Sequence, residues 1–515
     1  MSPEDRSIAT GDLGLGARSF GPPGSRPGHV GGRIGVVDAG SNSVRLVVYE
    51  GGARSPSVIF NEKATCALGA GLARTGRLNP EGRARAMAAL HRFGAVAEHL
   101  GVGTMAGIAT AAIREAEDGP AFRDLVEAAT GIRLAIATGA DEARYAMLGV
   151  LFGDPQASGV VADLGGASME LGIVADGAPG QGVTTPLGPL RLEALADPEA
   201  EIAERLDAVP EAFRDAGERL ILVGGAWRAL ARADMERRGY PLKVLHEYAL
   251  SAERAHDLAR WAKKRSPSEL AALDGVSESR AANLPLTARL LRGLLVALAP
   301  REVAISAFGL REGVAYEAMA PGIRAQDPLV AAAREMERVN ARAYGFGAEL
   351  GAWAIAALPP ANPREARLMR AAAHLADIAW RTHPDHRVAS AWEAATRSNL
   401  TGLGHEGRVF LALALAARYR RAKQLARDAP AAGLVDEAAA RRAVALGLAL
   451  RLGCSLSACV PGVLSASRLV DDGERLSLSL DERVAEMAGE DSDKALAQLA
   501  RHMNRRTGDL IVRRM

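Results

Sequence analysis

The sequence predicts an α/β protein in which two related α/β domains precede a helical domain and a small α+β C-terminal piece. Three observations support this fold class: a strand-and-loop pattern that occurs twice, strand-like and helical runs that alternate up to about residue 320, and a sequence rich in Ala, Leu and Arg thereafter. Alternating strand and helix patterns are typical of sheets covered by helices. The predicted segments are a disordered tail over 1–32, α/β domains over 33–155 and 156–320, a helical domain over 325–460 and an α+β piece over 461–515.

The repeated pattern reads VVDAGSNSVRLVV at residues 36–48 and VADLGGASMELGI at residues 161–173. The Asp, Gly, Ser and Leu positions match at one offset of 125 residues (163 − 38), which pairs Asp38 with Asp163 and Ser43 with Ser168. The apolar run predicts a buried strand, and the glycine turn lets backbone N–H groups point at one place, as a phosphate requires. A single Asp-x-Gly is also an ordinary hairpin turn. Two copies in register indicate two similar halves that face each other across a phosphate-binding cleft.

Composition excludes several classes of protein. The 63 basic and 61 acidic side chains give a net charge of only +2, which does not indicate a nucleic-acid-binding protein. The three cysteines cannot form a disulfide framework, and small apolar residues in a reducing cytosol explain them. No run reaches the ~18 apolar residues of a membrane span, and the Gly- and Pro-rich N-terminus is not a signal peptide. We expect a cytoplasmic protein.

The first α/β segment alternates runs such as IGVVDAG and GTMAGIATA with helical stretches, and a helix is predicted to begin at Asn79-Pro80. The second contains RLILVGGAWRALA and ends with EVAISAFGLREGVAY, each typical of a strand, a turn and a helix. The Gly224-Gly225 turn either lets a backbone approach a ligand or marks a close strand–helix crossing. Farther on, SASRLV, DDGE and RLSLSL predict a hairpin, and DSDKALAQLARHMNRR predicts a terminal helix.

Acidic residues cluster around the paired loops. Asp38 and Asp163 end their strands, so both carboxylates are expected to point into the cleft, where Glu170 follows seven residues past Asp163. Hard oxygen ligands beside a phosphate favour Mg²⁺, and Mn²⁺ accepts the same ligands. Glu170 has the alternative of a solvent-facing strand residue.

Asp141 and Glu142 begin a predicted helix just before the second loop. A carboxylate in the first turn is favoured by the helix dipole, so capping explains either residue. If Asp141 caps the helix, Glu142 is free to reach the cleft as a general base for a water that attacks phosphorus.

Several cationic side chains suit a site that handles a polyanion. Arg45 follows the first loop and Arg114 lies just past a strand end, although each is equally a surface ion-pair partner. Basic clusters at Lys263-Lys264-Arg265 and at Arg418, Arg420, Arg421 and Lys423 are either solvated helix faces or, for the second, a guide for an extended phosphate chain. His256, His374, His383, His386 and His405 lack the spacing of a His-Asp metal site, and no GxxxxGK loop is present.

These residues together resemble the exopolyphosphatase and guanosine pentaphosphate phosphatase family. The matching pieces span roughly residues 33–320 in the family's order: DAGSNSVRLVVYE, ATAAIREA, GADEARYAMLGV, VVADLGGASMEL, GVSESRAANLP and SAFGLREGVAY. The resemblance implies two actin-like domains of the ribonuclease-H type, followed by an all-helical, degenerate His-Asp-like domain. It also implies a catalytic base at Glu142.

The same resemblance assigns the other site residues. Metal-related carboxylates fall on Asp38, Asp163 and Glu170, and the phosphate-binding residues are Ser41, Asn42, Ser43, Arg45, Arg114, Gly165, Gly166 and Ser168. The second loop departs from the usual D-I-G-G-G-S-T-E-L, with Ala167 for a Gly and Met169 for a Thr. Ala167 fits if its φ is negative. Met169 cannot supply a hydroxyl, so one phosphate contact is expected to be lost there.

The expected activity is hydrolysis of the terminal phosphoanhydride of inorganic polyphosphate with Mg²⁺, by a homodimer. Three alternatives stay open: a guanosine pentaphosphate 5′-phosphatase that uses the same site, an actin-like ATP-binding or kinase module with its adenosine pocket near Gly224-Gly225, and a non-catalytic polyphosphate sensor.

Overall fold

The computed structural model describes residues 32–50, 54–419 and 430–513. The predicted N-terminal tail lies outside the described residues apart from Gly32. The elements of the first half are β1 (Arg33–Ala39), β2 (Ser43–Glu50), β3 (Ser57–Thr65), α1 (Leu72–Thr75), α2 (Pro80–His99), β4 (Val102–Ala109), α3 (Ala111–Glu115), α4 (Gly119–Thr130), β5 (Leu134–Ile136) and α5 (Gly139–Gly153).

The first half is a five-stranded sheet in the order β3-β2-β1-β4-β5. β1 pairs antiparallel with β2 and parallel with β4. The sheet's core includes the apolar residues of β1 and β2 together with Leu90 and Phe93 of α2. As the sequence predicts, α2 begins after Asn79, whose side chain accepts a hydrogen bond from the Gly82 N–H at 2.7 Å.

The second half repeats this arrangement. Its elements are β6 (Gly159–Leu164), β7 (Met169–Ala175), β8 (Ala178–Thr185), α6 (Pro189–Leu192), α7 (Pro198–Asp207), α8 (Ala212–Asp215), β9 (Arg219–Val223), α9 (Gly225–Arg237), β10 (Tyr248–Ser251), α10 (Ala252–Lys263), α11 (Pro267–Ala271), α12 (Glu278–Ala281), α13 (Leu284–Leu298), β11 (Glu302–Ser306) and α14 (Leu310–Glu317). The sheet order is β10-β11-β9-β6-β7-β8, so five of its strands follow the order of the first sheet and β10 adds an antiparallel edge. The two sheets confirm the predicted α/β fold class.

The helices α5 and α14 join the two halves. They cross closely because Gly149 and Gly313 have no side chains: a Cβ at Gly313 would overlap the Tyr145 carbonyl oxygen, and one at Gly149 would overlap Gly309. Around this crossing a single hydrophobic core contains residues of both sheets, including Val36 of β1 and Val161 of β6. The two halves are therefore packed as one body with their loops on a common cleft.

The remaining chain is mostly helical and ends in a small sheet. Its elements are α15 (Pro321–Arg324), α16 (Pro328–Asn340), α17 (Phe346–Ala357), α18 (Pro363–Leu375), α19 (Arg387–Arg397), α20 (His405–Tyr419), α21 (Glu437–Ser457), β12 (Ser467–Asp471), β13 (Arg475–Asp481), α22 (Glu490–His502) and β14 (Arg506–Arg513), with 3₁₀ turns at Pro384–His386, Pro430–Leu434, Leu464–Ala466 and Glu482–Met487. β12 and β13 form a hairpin through Gly473, and β14 lies parallel to β13. The sequence pattern did not predict β14.

Arg418 is buried, whereas one interpretation of the sequence placed it on a solvated helix face. Its side chain is only 13% exposed, and its Nη2 lies 3.7 Å from the Cys459 sulfur and 4.0 Å from the Asp377 carboxylate. Arg420, Arg421 and Lys423 lie outside the described residues. Among the residues with described structure, no helix combines the length and apolar character needed to cross a membrane.

The crossing of α5 and α14 makes Gly313 intolerant of a side chain. We expect Gly313→Ala to lower the free energy of unfolding by about 1–3 kcal/mol, because the Tyr145 backbone must shift to admit the methyl group. Circular dichroism during thermal unfolding measures the change. The control is Gly322→Ala in α15, where a Cβ meets no atom within 4 Å. Equal unfolding midpoints for the two variants would contradict the expected role of the crossing.

Candidate active site

Two matching turns form the walls of the cleft: loop 1 (residues 40–42) between β1 and β2, and loop 2 (residues 165–168) between β6 and β7. The Gly40 N–H donates to the Ser43 carbonyl at 3.0 Å, and the Gly165 N–H donates to the Ser168 carbonyl at the same distance. The strand registers match as well, since Asp38 pairs with Arg45 and Asp163 pairs with Glu170. The sequence repeat is thus a structural repeat.

Both loops are braced by their carbonyl groups. The Ser41 and Asn42 carbonyls accept hydrogen bonds from the backbone of residues 66–69, and the Gly166 carbonyl accepts one from Leu190 at 3.0 Å. Within the described part of the chain, no backbone acceptor pairs with the N–H groups of Ser41, Asn42, Gly166 and Ala167. These donors suit an anion. The Gly165 N–H is used by its own turn.

Glu142 lies beside the loops because Asp141 takes the capping role. The Thr138 side chain accepts from the Asp141 N–H at 3.2 Å while the Asp141 carboxylate accepts from the Thr138 N–H at 2.9 Å, which forms a capping box. Glu142, only 8% exposed, instead pairs with Arg114. Its pKa is raised to about 7 by burial and by the charges of Asp163 and Asp38, against the lowering effect of Arg114.

Glu170 is buried rather than solvent-facing. Its side chain is 4% exposed, and its Oε1 atom has no hydrogen-bond partner among the described residues. Burial raises its pKa to about 8, and the nearby Glu142 and Asp163 charges add to the effect. A buried carboxylate oxygen without a donor is costly unless a cation or a proton reaches it.

Asp163 is the penultimate residue of β6, where the Gly224 turn approaches it. Gly224 has φ +120°, and a Cβ there would lie 2.8 Å from the Leu164 carbonyl oxygen and 3.3 Å from Asp163 Oδ1. The Gly224-Gly225 turn is therefore a close strand–helix crossing that also abuts a cleft carboxylate. Burial raises the Asp163 pKa to about 6 against the opposing charges of Arg228 and Arg311.

Two cleft arginines were not singled out from the sequence. Arg311, at the start of α14, donates from Nη1 to Asp38 Oδ2 at 3.0 Å, which bridges the two halves. Arg228, in the first turn of α9, donates to the Ala307 carbonyl at 3.1 Å, and burial lowers its pKa to about 10. Both follow a strand and a glycine turn, in GGAWR and FGLR. This shared position, just after a strand and a glycine turn, is the sequence feature from which both arginines could have been predicted.

Further cations lie near the mouth of the cleft. Arg45 donates from Nε to the Asn61 side chain at 2.7 Å, and its charge acts on Asp38. Lys63 of β3 is exposed, and its pKa is lowered by partial burial and then by the charges of Arg280, Arg45 and Arg311. Like charges held this close favour an anionic ligand.

The cleft residues have the donor chemistry that Mg²⁺ prefers. Among the described residues, no group of three or more His, Cys, Asp or Glu side chains is arranged so that it could hold a metal ion. Mg²⁺ in phosphate-handling sites is usually held by one or two carboxylates, water and the phosphate itself. Asp38, Asp163 and Glu170 do not converge as one three-carboxylate site, so the sequence-based set of three metal ligands is not assembled here. One or two of them, with the unpartnered Oε1 of Glu170 as the clearest free ligand atom, still fit the Mg²⁺ pattern.

The two departures from the usual sequence, Ala167 in loop 2 and Met169 at the start of β7, lie in different surroundings. Ala167 does not adopt a positive φ, so a methyl group is tolerated. Met169 is fully buried in the core of the second half, and its carbonyl accepts from Thr185 Oγ1 at 2.9 Å. Its side chain therefore packs in the core, on the opposite side of β7 from Glu170, while the expected loss of a phosphate contact at this position stays a prediction.

Comparison with known families supports the resemblance found in the sequence. A model described as the Ppx/GppA phosphatase family matches residues 47–321, and one described as the C-terminal part of exopolyphosphatase matches residues 329–510. The two matches together extend over both α/β halves and the helical region.

Individual relatives agree. Exopolyphosphatase 1 of Mycobacterium leprae is 29% identical over 304 residues, which cover 55% of this chain and 88% of the relative. A guanosine-5′-triphosphate,3′-diphosphate pyrophosphatase of Pseudoalteromonas atlantica is 26% identical over 296 residues, which cover 55% of this chain and 57% of that protein. An exopolyphosphatase structure from Cytophaga hutchinsonii shares the fold with a TM-score of 0.50 at 24% identity, covering 55% of this chain and 96% of that one.

The position of Met169 predicts the effect of restoring the usual threonine. Met169→Thr should leave the affinity for inorganic phosphate within about twofold, because residue 169 faces the core. It should lower the free energy of unfolding by about 2 kcal/mol or more, since it removes buried apolar volume and buries a hydroxyl. Calorimetric titration with phosphate and thermal unfolding measure the two effects. A clear gain in phosphate affinity would show that residue 169 reaches the cleft.

Proposed function

This chain belongs to the Ppx/GppA phosphatase family, and on that basis we propose that it is an exopolyphosphatase that hydrolyses the terminal phosphoanhydride of inorganic polyphosphate and releases orthophosphate. The observation that carries the proposal is the convergence of two matched loops, a buried Glu142 and several arginines on one cleft. This is the set of groups that phosphoryl transfer to water requires, since positioning and charge stabilisation supply most of the catalysis.

We further propose that the two halves are actin-like domains of the ribonuclease-H type and that the helical region is a degenerate His-Asp domain. The shared strand order supports the first assignment. For the second, His374 pairs with Glu337 at 2.7 Å and Asp377 pairs with Arg342 at 2.7 Å. Both side chains are thus satisfied within the protein, which supports a structural rather than a metal-binding role.

In the proposed complex, the terminal phosphate lies between loops 1 and 2. The N–H groups of Ser41, Asn42, Gly166 and Ala167 face its oxygens, with the guanidinium groups of Arg45 and Arg114 beside them; the Ser43 and Ser168 side chains complete the predicted phosphate site. One or two of the carboxylates of Asp38, Asp163 and Glu170, together with water and the phosphate, would hold Mg²⁺, or Mn²⁺, which supplies charge neutralisation at the phosphate oxygens when bound.

Glu142 acts as the general base in this proposal. A pKa of about 7 lets the carboxylate accept a proton from water near neutral pH without being fully protonated at rest. Arg114 holds Glu142 in position. Its Nη1 donates to the Ala137 carbonyl at 2.8 Å and also pairs with Glu142, which fixes the base relative to the phosphate. Removal of the water proton by Glu142 generates the nucleophile, and the shortened chain leaves as the other product.

The main alternative is a guanosine pentaphosphate 5′-phosphatase that uses the same groups, and the Pseudoalteromonas relative favours it as second candidate. An ATP-binding or kinase module is less well supported, because Arg280 donates to the Gly225 carbonyl at 3.0 Å and covers the turn where an adenosine pocket was expected. A non-catalytic sensor, a homodimeric state and a cytoplasmic location stay predictions of the sequence.

Comparing the two substrates tests the proposal. With Mg²⁺, the parent protein should release orthophosphate from long-chain polyphosphate with a kcat/KM at least about tenfold above that for guanosine pentaphosphate, and Glu142→Gln should lower both by about 10²–10⁴-fold. The reverse preference would support the nucleotide phosphatase. Equal rates for Glu142→Gln and the parent would remove the proposed base.

The pKa of Glu142 predicts the pH dependence. The carboxylate is active when deprotonated, so log kcat/KM should rise with pH up to about 7 and level off above it. Replacing Arg114 by Gln removes an interaction that lowers the Glu142 pKa. The rise of log kcat/KM should therefore occur at higher pH in this variant, and its maximal kcat/KM should be lower. A pH profile of Arg114→Gln that keeps the parent's inflection would contradict the coupling of the two residues.

A further inference from the structure

Arg311 and Asp38 form an ion pair between the two halves of the molecule. Arg311 comes from the second half of the molecule, at the N-terminus of α14, and its Nη1 donates to Oδ2 of Asp38 at the end of β1. The pair is only partly buried, with side chains 20% and 23% exposed. The hydrogen bond thus lies where both the cleft and its ligands can reach it.

The neighbouring groups hold the backbone of Arg311 but not its side chain. Glu312 accepts from the Gly309 N–H at 2.9 Å and from the Tyr49 hydroxyl at 2.8 Å, which fixes the first turn of α14 against β2. The Arg311 Nε is buried and has no partner among the described residues. Asp38 is thus the one hydrogen-bond partner given for the guanidinium among the described residues, while the charge of Glu312 also acts on it. Its other N–H groups are available to an anion.

The charges around Arg311 and Asp38 favour exchange of their partners. Arg311 lies near Arg228 and Arg45, whose like charges act on it, while Asp163 lies within range of the same guanidinium. A divalent cation on Asp38 would add further positive charge beside Arg311, and like charges at contact distance repel strongly in a partly buried site. Arg311 occupies Oδ2 of Asp38, and a cation on either oxygen of this carboxylate would weaken the ion pair through its positive charge.

We propose that Arg311 and a divalent cation compete for the carboxylate of Asp38, so that Arg311 is released toward a substrate phosphate when the cation binds. This inference rests on the proposed function for its second step, because the released guanidinium needs a phosphate to bind. Arg311 is then a substrate-binding residue whose availability depends on metal loading, and it links the two halves. No covalent step is involved.

The competing explanation is a static ion pair that only holds the halves together. The static ion pair and the competition predict different metal affinities for a variant that lacks Arg311. A static pair leaves Asp38 poorly positioned in the variant, and metal binding weakens or stays the same. Competition predicts tighter metal binding, because the carboxylate no longer has to leave a charged hydrogen-bond partner.

Manganese binding without polyphosphate tests the proposal. Free Mn²⁺ is measured by electron paramagnetic resonance during titration of the full chain and of Arg311→Ala and Arg311→Gln, with circular dichroism to verify folding. We expect both variants to lower the Mn²⁺ Kd by about tenfold, the size of one lost charge-assisted hydrogen bond. Arg311→Gln preserves most of the side-chain volume if the alanine variant unfolds.

Arg45→Ala is the matched control for bulk electrostatics. Arg45 carries the same charge and acts on Asp38, but it donates to Asn61 rather than to the carboxylate. Its removal should change the Mn²⁺ Kd by less than about threefold. Asp38→Asn should weaken binding, and adding Arg311→Ala to it should give no tightening.

Three results would overturn the proposal: an unchanged or weaker Mn²⁺ affinity in the Arg311 variants, an equal gain in Arg45→Ala, or no measurable Mn²⁺ binding by the parent. The second step has its own readout. In saturating Mn²⁺, Arg311→Ala should bind polyphosphate at least about tenfold more weakly than the parent, and unchanged binding would refute the release step. Because the Mn²⁺ titration contains no substrate, failure of the parent to hydrolyse polyphosphate would count against the proposed function alone.

Discussion

The close crossing of α5 and α14 is the constraint on which the cleft depends. Glycines at Gly149 and Gly313 let the two helix backbones touch, and the shared core around them fixes the angle between the sheets. Each helix also carries a cleft residue in its first turn, Glu142 on α5 and Arg311 on α14. A contact made for packing therefore sets the distance between groups that come from different halves of the chain.

The electrostatics of the cleft follow from that packing. Burial raises the pKa values of Glu142, Asp163 and Glu170, so the carboxylates gain from any cation that approaches them. Two of the cleft carboxylates are paired with arginines, Glu142 with Arg114 and Asp38 with Arg311. A phosphate and a divalent cation would exchange partners with these pairs, and the charged groups that meet them are already in place before they bind.

The sequence predicted those parts of the site that local pattern determines. The repeat located Asp38 and Asp163 because two copies shared one offset, and the capping chemistry of Asp141 left Glu142 for the cleft. Arg311 and Arg228 were not predicted because their roles depend on contacts with residues far away in the sequence. Arg311 contacts Asp38 of the first half, and Arg228 contacts Ala307. The periodicity of a short segment carries no information about such contacts. The core position of Met169 follows from strand alternation, since its neighbour Glu170 points to the opposite side of β7.

The burial of Arg418 changes where the rest of a polyphosphate chain is expected to run. A side chain held beside Asp377 and Cys459 has no face left for a polyanion. Lys63 and Arg280 are exposed, unlike Arg418. The charges of Arg280 and Arg45 both act unfavourably on the Lys63 ammonium group, and Asp38 offsets them only in part. Such a group is stabilised by an anion that spans several cations, as consecutive phosphates do. Within the described residues, the proposed substrate is therefore better served by cations of the two α/β halves at the mouth of the cleft than by Arg418 of the helical region.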